Sequence, residues 1–519
     1  MMPRLLFACL LTSALSAAEF DLLITHARIA DGSGGPLMEG SVAVKDGRIA
    51  AVGQPQGTAT EVIDAGGKVV APGFIDVHTH SEDICRNPVA ENFLRMGVTT
   101  IISGNCGHSR TDVAKFFQEI GDSKVALNVA TLIGHGSVRE QAMGGSFIRA
   151  PNDEQLATMK GLVDQAMKDG AVGMSTGLIY VPGSFAKTDE LIAMAKVAAA
   201  HDGIYVSHMR YETTRIFQAL EEFIRIAREA RVRAEVSHIK LSGPTAWGKA
   251  DEVLSVLKKA RASGLKITQD QYAYTASSTG LRQTLPDSAL EGEHADFVAR
   301  ISDPKKKAEI IAGMAEMRAR QGRKDYSYAV IARCKADPSL NGKTIPEAAK
   351  LRRGADTLED QIELILEIEA QGGASAIFHG MNEDDLQTFL KHPLTMVASD
   401  GGPRRLGEDV PHPRSYGNNA RVLGRYVREL KLLSLPEAIR RMTSLPAQTF
   451  HLKDRGMLKA GAHADLVIFD PAKIGDPSTF SDPHHYAEGF DHVIVNGGVV
   501  IRDGKITEVR SGGPLRMGQ

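Results

Sequence analysis

The chain has 519 residues, of which 43% are hydrophobic and 24% charged, and its formal net charge is −2. This is ordinary globular composition, and a charge so close to zero gives no basic field to draw in nucleic acid. The length exceeds what one ordinary core holds and suits a large barrel with a smaller second domain.

Residues 1–18 open with the basic Arg4, run apolar from Leu5 to Leu15 and end in Ser16, Ala17 and Ala18. That is the layout of a secretory signal peptide cut near Ala18, and it implies export to a periplasm. A buried N-terminal helix is the alternative. Cys9 lies in the middle of the apolar run, not at its end, which argues against a lipid anchor. No later apolar run has bilayer-spanning length, so the mature chain is expected to be soluble, with no membrane partner. Cleavage would leave Cys85, Cys106 and Cys334, an odd number that argues against a full disulfide framework.

Residues 19–70 read as short strands, such as Phe20 to Ile24 and Ser41 to Val44, separated by the turn signals Asp31-Gly32-Ser33-Gly34-Gly35 and Asp46-Gly47-Arg48. Residues 451–519 look alike, with Ala464 to Phe469 and His492 to Val495 as strands and turns at Asn496-Gly497-Gly498 and Asp503-Gly504-Lys505. The two ends are expected to build one small β-sandwich domain. Between them, residues 71–450 alternate strands and helices. Eight apolar strand candidates follow in order: Phe74 to Val77, Thr99 to Ser103, Leu127 to Ile133, Val172 to Ser175, Ile204 to Ser207, Ala234 to Ser237, Lys266 to Gln269 and Met396 to Ser399. Amphipathic helix patterns such as Thr188 to Ala200 separate them. Eight βα units imply a closed parallel barrel, so the predicted fold class is α/β, a (β/α)₈ TIM-like barrel with the small β-domain. An open doubly wound sheet is the runner-up, and its G-x-G-x-x-G fingerprint is missing after the first strand. A charged, helix-rich insertion over about 283–394 precedes the eighth strand, placed to serve either as a lid or as an outer decoration.

Metal-competent groups recur at the ends of the predicted strands. His78 and His80 close the first, Cys106 follows the second, His208 ends the fifth, His238 the sixth and Asp400 the eighth. Strand C-termini of such a barrel share one face, so these groups converge there. Zinc takes nitrogen and sulfur ligands, and a catalytic site keeps one position open for water. Each residue alone has a bland reading: a surface H-x-H, a small buried thiol, a turn before two glycines. Six such groups at the ends of five strands make a metal site.

These residues also carry a resemblance. Gly73-Phe74-Ile75-Asp76-Val77-His78-Thr79-His80 resembles the amidohydrolase superfamily signature. Gly104-Asn105-Cys106-Gly107, Gly134-His135-Gly136-Ser137, His208-Met209-Arg210, Ser237-His238-Ile239-Lys240, Ser399-Asp400-Gly401 and His412-Pro413-Arg414 resemble its N-acyl-D-amino-acid deacylase (D-aminoacylase) family. The resemblance spans nearly the whole mature chain and implies zinc-dependent cleavage of N-acyl-D-amino acids. By that likeness Cys106, His208 and His238 hold one tight Zn²⁺, the cysteine standing where a carboxylated lysine is common elsewhere, and His78 and His80 form a second, weaker site. Asp400 matches the catalytic base; Tyr272, Ser278 and Arg414, with Lys240 near, match residues holding the carboxylate of a small-molecule substrate. Three positions depart from the pattern: Ala273 for a proline, Ile239 for a second histidine, and Asn418-Asn419 for Thr-Phe. They bear on substrate preference.

The chemistry follows from general rules. Zinc lowers the pKa of bound water and polarises a carbonyl. Asp400 can accept a proton and return it to the leaving amine. His135 is expected to assist the oxyanion or to support a ligand, and Arg414 offers a planar fork for a carboxylate. The alternatives are a cyclic amidase on the same barrel, hydantoinase-like or dihydroorotase-like, and a non-catalytic binding barrel.

Overall fold

The computed structural model describes residues 18–518, so the expected signal peptide falls almost wholly outside the described residues. Eight parallel strands form the barrel: β1 (Phe74–Asp76), β2 (Val98–Ser103), β3 (Asn128–Thr131, resumed as Ile133–Gly134), β4 (Gly173–Gly177), β5 (Ile204–His208), β6 (Arg233–Val236), β7 (Ile267–Gln271) and β8 (Thr395–Val397). Neighbours pair in parallel from β1 to β3 and from the second part of β3 to β8. The interruption of β3 at Leu132 is bridged by Leu132 N donating to Ser103 O at 2.9 Å. The ring closes where Asp400 N donates to His78 O at 2.9 Å and His80 N to Gly401 O at 2.7 Å.

Strands buried on both faces tend to read as apolar runs, which made most of these legible; Ile267–Gln271 is buried yet largely polar. Alternate residues point inward: Ile75, Ile102, Ala130, Ile204, Val206 and Met396 pack in the lumen, and Leu445 and Phe450 join them. The other parity faces the helices. In Ile216–Ala230 the buried positions Ile216, Ala219, Leu220, Phe223, Ile226, Ala227 and Ala230 recur every three or four residues, the spacing of one helical face. Asp153–Lys168 begins at Asn152, whose side chain and that of Gln155 satisfy each other's backbone N–H.

Both ends of the chain enter one continuous nine-stranded sheet. Phe20–Ile29 pairs with Met38–Lys45, Ala59–Asp64 and Val69–Pro72, and the last of these takes Leu466–Phe469 as its antiparallel neighbour. Leu22, Ile24 and Val44 thereby share a core with Leu466, Ile468 and Ile494.

The excursion between β7 and β8 begins earlier than expected. Its first strand, Ser277–Gly280, is the edge of a three-stranded antiparallel sheet with Ala374–Phe378 at the centre and Ala329–Cys334 beyond. A Ser-Ser-Thr-Gly strand has no apolar signature to mark it in the sequence. The excursion owns a core around Leu281, Phe297, Ile331 and Ile365. Glu383–Lys391 packs against Ala250–Ala262 and β8, so it belongs to the helical layer of the barrel.

Candidate metal centre and active site

Three of the converging groups sit in strained backbone. Cys106 (φ +52°), His238 (φ +33°) and Asp400 (φ +52°) adopt the left-handed region that side chains normally avoid. Each follows the end of its strand, where the chain must turn sharply to aim the side chain across the barrel mouth. The Gly104-Asn105-Cys106-Gly107 loop is wedged in place: a Cβ on Gly104 would lie 2.1 Å from Leu132 O, and one on Gly107 2.7 Å from Gly177 N. Asn105 Nδ2 pins the loop by donating to Val77 O at 3.2 Å and Ile102 O at 3.0 Å.

The loop delivers the thiol to the centre of a ring of imidazoles. Cys106 Sγ lies 3.3 Å from His78 Nε2, 3.6 Å from His208 Nδ1 and 3.5 Å from His238 Nε2. His78 Nε2 is 3.7 Å and His80 Nε2 3.1 Å from Asp400 Oδ1. Three overlapping donor groups result, His78–Cys106–His238, His78–His80–Asp400 and His208–Glu212–His238. Zinc bonds of about 2.0–2.3 Å place tetrahedral ligand atoms roughly 3.3–3.8 Å apart, so the spacing fits ligands around a shared ion. Electrostatics agree. Burial pushes the Cys106 thiol up, with the Asp400 charge adding to it, so a cation is what would make a thiolate there. Burial, with Lys240 and His208 nearby, drops His238 to about 3, and burial also lowers His208. Neutral imidazoles with free lone pairs are what a metal requires.

Asp400 is buried, which alone would raise its carboxyl, but Arg414 and His80 pull it well below the usual range. Arg414 Nη1 lies 2.8 Å from Asp400 Oδ2, its Nη2 donates to Ser278 O at 3.2 Å, and its guanidinium stacks 4.6 Å from the Tyr272 ring centre. Ser278, which joins through its carbonyl, lines a cavity of 360 Å³ with His80, Cys106 and Tyr180. Lys240 Nζ is bound to Glu212 Oε1 at 2.6 Å and to His238 Nδ1 at 2.8 Å. A second cleft, of 420 Å³, has Glu212 on one wall and Met317, Tyr328 and Phe378 of the excursion on the other.

The structure thus gathers His78, His80, Cys106, His208, His238, Lys240, Tyr272, Ser278, Asp400 and Arg414. His135 is the exception. It begins the helix His135–Met143, is fully buried, and donates from Nε2 to Glu190 Oε1 at 2.9 Å, an oxygen that also receives Arg139 Nε at 3.0 Å. A carboxylate on a neighbouring helix thus takes the ring's Nε2.

Sequence reasoning missed two carboxylates. Asp270, near the end of β7, faces His78 Nδ1 at 3.4 Å and accepts His238 N at 3.0 Å. Glu212 lies four residues beyond His208, in the loop before the helix Ile216–Ala230. The strand-end signal used for the histidines would have found Asp270, which directly follows the predicted strand Lys266 to Gln269.

The amidohydrolase family model matches residues 61–501. The D-aminoacylase of Alcaligenes xylosoxydans xylosoxydans is 35% identical, over 96% of this chain and 98% of its own. The N-acyl-D-glutamate deacylase of Bordetella bronchiseptica, solved with zinc and a phosphonate mimic of the tetrahedral intermediate, superposes with a TM-score of 0.81 at 33% identity, covering 96% and 99% of the two chains. A D-aminoacylase structure described by its binuclear metal centre, activated by one metal and attenuated by the second, also gives 0.81, at 32% identity over 96% and 100%. A D-hydantoinase reaches only 0.55 at 16% identity over 96% and 99%, a likeness of fold alone.

Proposed function

The chain belongs to the amidohydrolase family, and on that premise we propose that it hydrolyses N-acyl-D-amino acids to a carboxylate and a free D-amino acid. One observation carries the reading: Cys106, His208, His238 and Asp400 meet at the barrel mouth of a chain whose relatives along its whole length are D-amino-acid deacylases. Cys106 would hold one zinc tightly together with His208 and His238, whose nitrogens lie 3.6 Å and 3.5 Å from its sulfur; His78 and His80, beside Asp400, would hold a second more weakly. Zinc supplies Lewis acidity and lowers the pKa of water toward neutrality.

The chain's own groups do the rest. Asp400 is kept ionised by Arg414 and His80, so Oδ1 can accept the proton of the attacking water. An amide nitrogen must be protonated before it leaves, and the same carboxyl can return that proton. Arg414 spends one arm on Asp400 and one on the Ser278 carbonyl, which fixes the plane of its fork beside the reacting group. Its remaining N–H bonds suit a substrate carboxylate. The Tyr272 ring supports that plane from below. Export is proposed with this activity and rests on residues 1–18 alone.

The test is a panel of N-acyl-D-amino acids, their L-enantiomers, their amides and cyclic imides, offered to the zinc-loaded protein with released amine as readout. Release from linear D-acids is expected. Cleavage of cyclic imides with linear acids untouched would establish the cyclic amidase instead, and no release from any would leave a binding barrel.

A further inference from the structure

Charges in the 420 Å³ cleft between the barrel and the excursion do not all cancel. Arg210 is taken by Glu222, its Nε 2.9 Å from Oε2, and Arg320 by Glu316. Glu212 is taken by Lys240 at 2.6 Å. Asp287, the remaining acid on the wall, sits toward Arg210 and Ser184. Two half-buried cations are left over: Arg215, from the loop after β5, and Arg323, from the excursion. Among the described residues neither has a carboxylate in an ion pair with it.

Each of the two is laid against a tyrosine. Arg215 lies 3.5 Å over the Tyr211 ring and Arg323 4.5 Å over the Tyr328 ring. Stacking occupies the face of a guanidinium and leaves its in-plane N–H groups free to bond. One of these is used: Arg323 Nη2 donates to His379 O at 2.8 Å. The Nε of each is buried without a partner. A buried donor left unanswered is costly, and more so on a charged group. Burial lowers Arg323 below its ordinary 12.5, as expected of a cation that lacks a counter-ion. The cleft also reaches the reacting centre. Glu212 on its wall lies 3.4 Å from His208 Nε2, and Thr279 lines both this cleft and the 360 Å³ cavity that holds His80 and Cys106.

We propose that this cleft is a subsite for a second substrate carboxylate, separate from the one at Arg414, held by Arg215 and Arg323. Met317 and Phe378 on the excursion's wall would cover the aliphatic stem that carries it. The favoured substrates are then N-acyl-D-amino acids with a further acid, either in the side chain or in the acyl arm. A neutral arm leaves both guanidiniums unanswered, whereas a carboxylate offers each a charge-assisted acceptor. The proposal rests on the reading of the chain as a D-amino-acid deacylase.

Matched pairs of substrates that differ only in acid against amide test it on the zinc-loaded, full-length protein. N-acetyl-D-glutamate against N-acetyl-D-glutamine probes the side chain; N-succinyl-D-alanine against N-succinamoyl-D-alanine probes the acyl arm. In at least one pair the acid should be favoured in kcat/KM by roughly tenfold or more, and that pair identifies the arm that enters the cleft. Arg323→Met and Arg215→Met should each lower this acid-to-amide ratio by roughly tenfold, Arg323→Lys should keep part of it, and Arg323→Glu should reverse it. Circular dichroism checks each fold; if Arg323→Met does not fold, the wild-type ratios and Arg215→Met decide. No preference for the acid in either pair, a preference that survives both Met substitutions, or equal losses on acid and amide would overturn the proposal. A wild-type protein that cuts neither acids nor amides would strike at the deacylase reading instead, so the two failures are separable.

Discussion

Arg414 contacts both the expected base and the wall of the substrate cavity, so its removal should be felt in two ways. Arg414→Met deletes a charge-assisted contact worth about 1.5–3 kcal/mol to a substrate carboxylate, a loss of roughly ten- to two-hundredfold in kcat/KM. It also withdraws the charge that holds Asp400 down. Amide substrates lacking the carboxylate should therefore lose activity too, though by less than the acids. Equal losses on acids and amides would make Arg414 a partner of Asp400 alone. Asp400→Asn should lower kcat by about three decades or more with metal content largely kept, because both proton transfers go; near-normal kcat would place the base elsewhere. Cys106→Ala should strip the tight metal, since among the described residues Cys106 is the sole thiol in the candidate donor groups; full zinc occupancy in the purified variant would refute that. At this scale the histidines, Cys106 and Asp400 were legible because each stands at the end of an apolar run. What could not be read was commitment: that Lys240 is taken by Glu212, Arg414 by Asp400 and His135 by Glu190 depends on which helices pack together.

That last pairing belongs to elements. Glu190, on Thr188–Ala200, receives both His135 and the fully buried Arg139 of His135–Met143, while Arg139 also donates to Phe147 O and Arg149 O. The acid ties the helix after β3 to the helix after β4. Burial alone would raise the Glu190 carboxyl, but His135 and Arg139 outweigh it and hold it below its ordinary 4.5. A depressed carboxyl stabilises the fold above its unfolded value, and that contribution fades as pH falls through the folded one. Glu190→Gln, which leaves Arg139 buried without its anion, should cost about 3–5 kcal/mol near neutrality. The gap to wild type should narrow below pH 4.5 in urea titrations; a gap independent of pH would mean the ion pair contributes nothing. Element legibility followed chemistry. Most barrel strands stood out as apolar runs and the largely polar Ile267–Gln271 by its place in the βα alternation, whereas Ser277–Gly280, polar and short, was invisible although it carries Ser278 to the cavity. The break in β3 at Leu132 was equally hidden, because an apolar run does not reveal where its ladder changes partner.

For the whole molecule, both chain ends had hairpin signatures, so a shared β-domain could be read; its continuity through the pairing of Val69–Pro72 with Leu466–Phe469 could not, because residues about four hundred apart meet only in the fold. The same end of the chain goes on to touch the barrel. After the last strand of the sheet, residues 512–517 run beside β3: Gly512 N donates to Val125 O at 3.1 Å, Leu515 N to Val129 O at 2.8 Å and Met517 N to Gly170 O at 2.9 Å. Leu515 and Met517 pack, half-buried, on the lumenal cluster that includes Leu445 and Phe450. This is the end of the barrel opposite the metal-competent groups, where conserving the fold and not the chemistry is at stake. Removing residues 511–519 should therefore expose the barrel floor and lower the thermal midpoint by at least about 3 °C, given roughly 1.5–3 kcal/mol for each large apolar side chain fully buried and less for these two. Zinc content and the ranking of substrates by kcat/KM should stay as in the full chain, since no ligand or cavity residue moves. An unchanged midpoint would show that the tail merely rests on the barrel. A changed substrate ranking would show that strain at the floor reaches the mouth through β3, whose Leu132 carbonyl abuts Gly104 of the Cys106 loop.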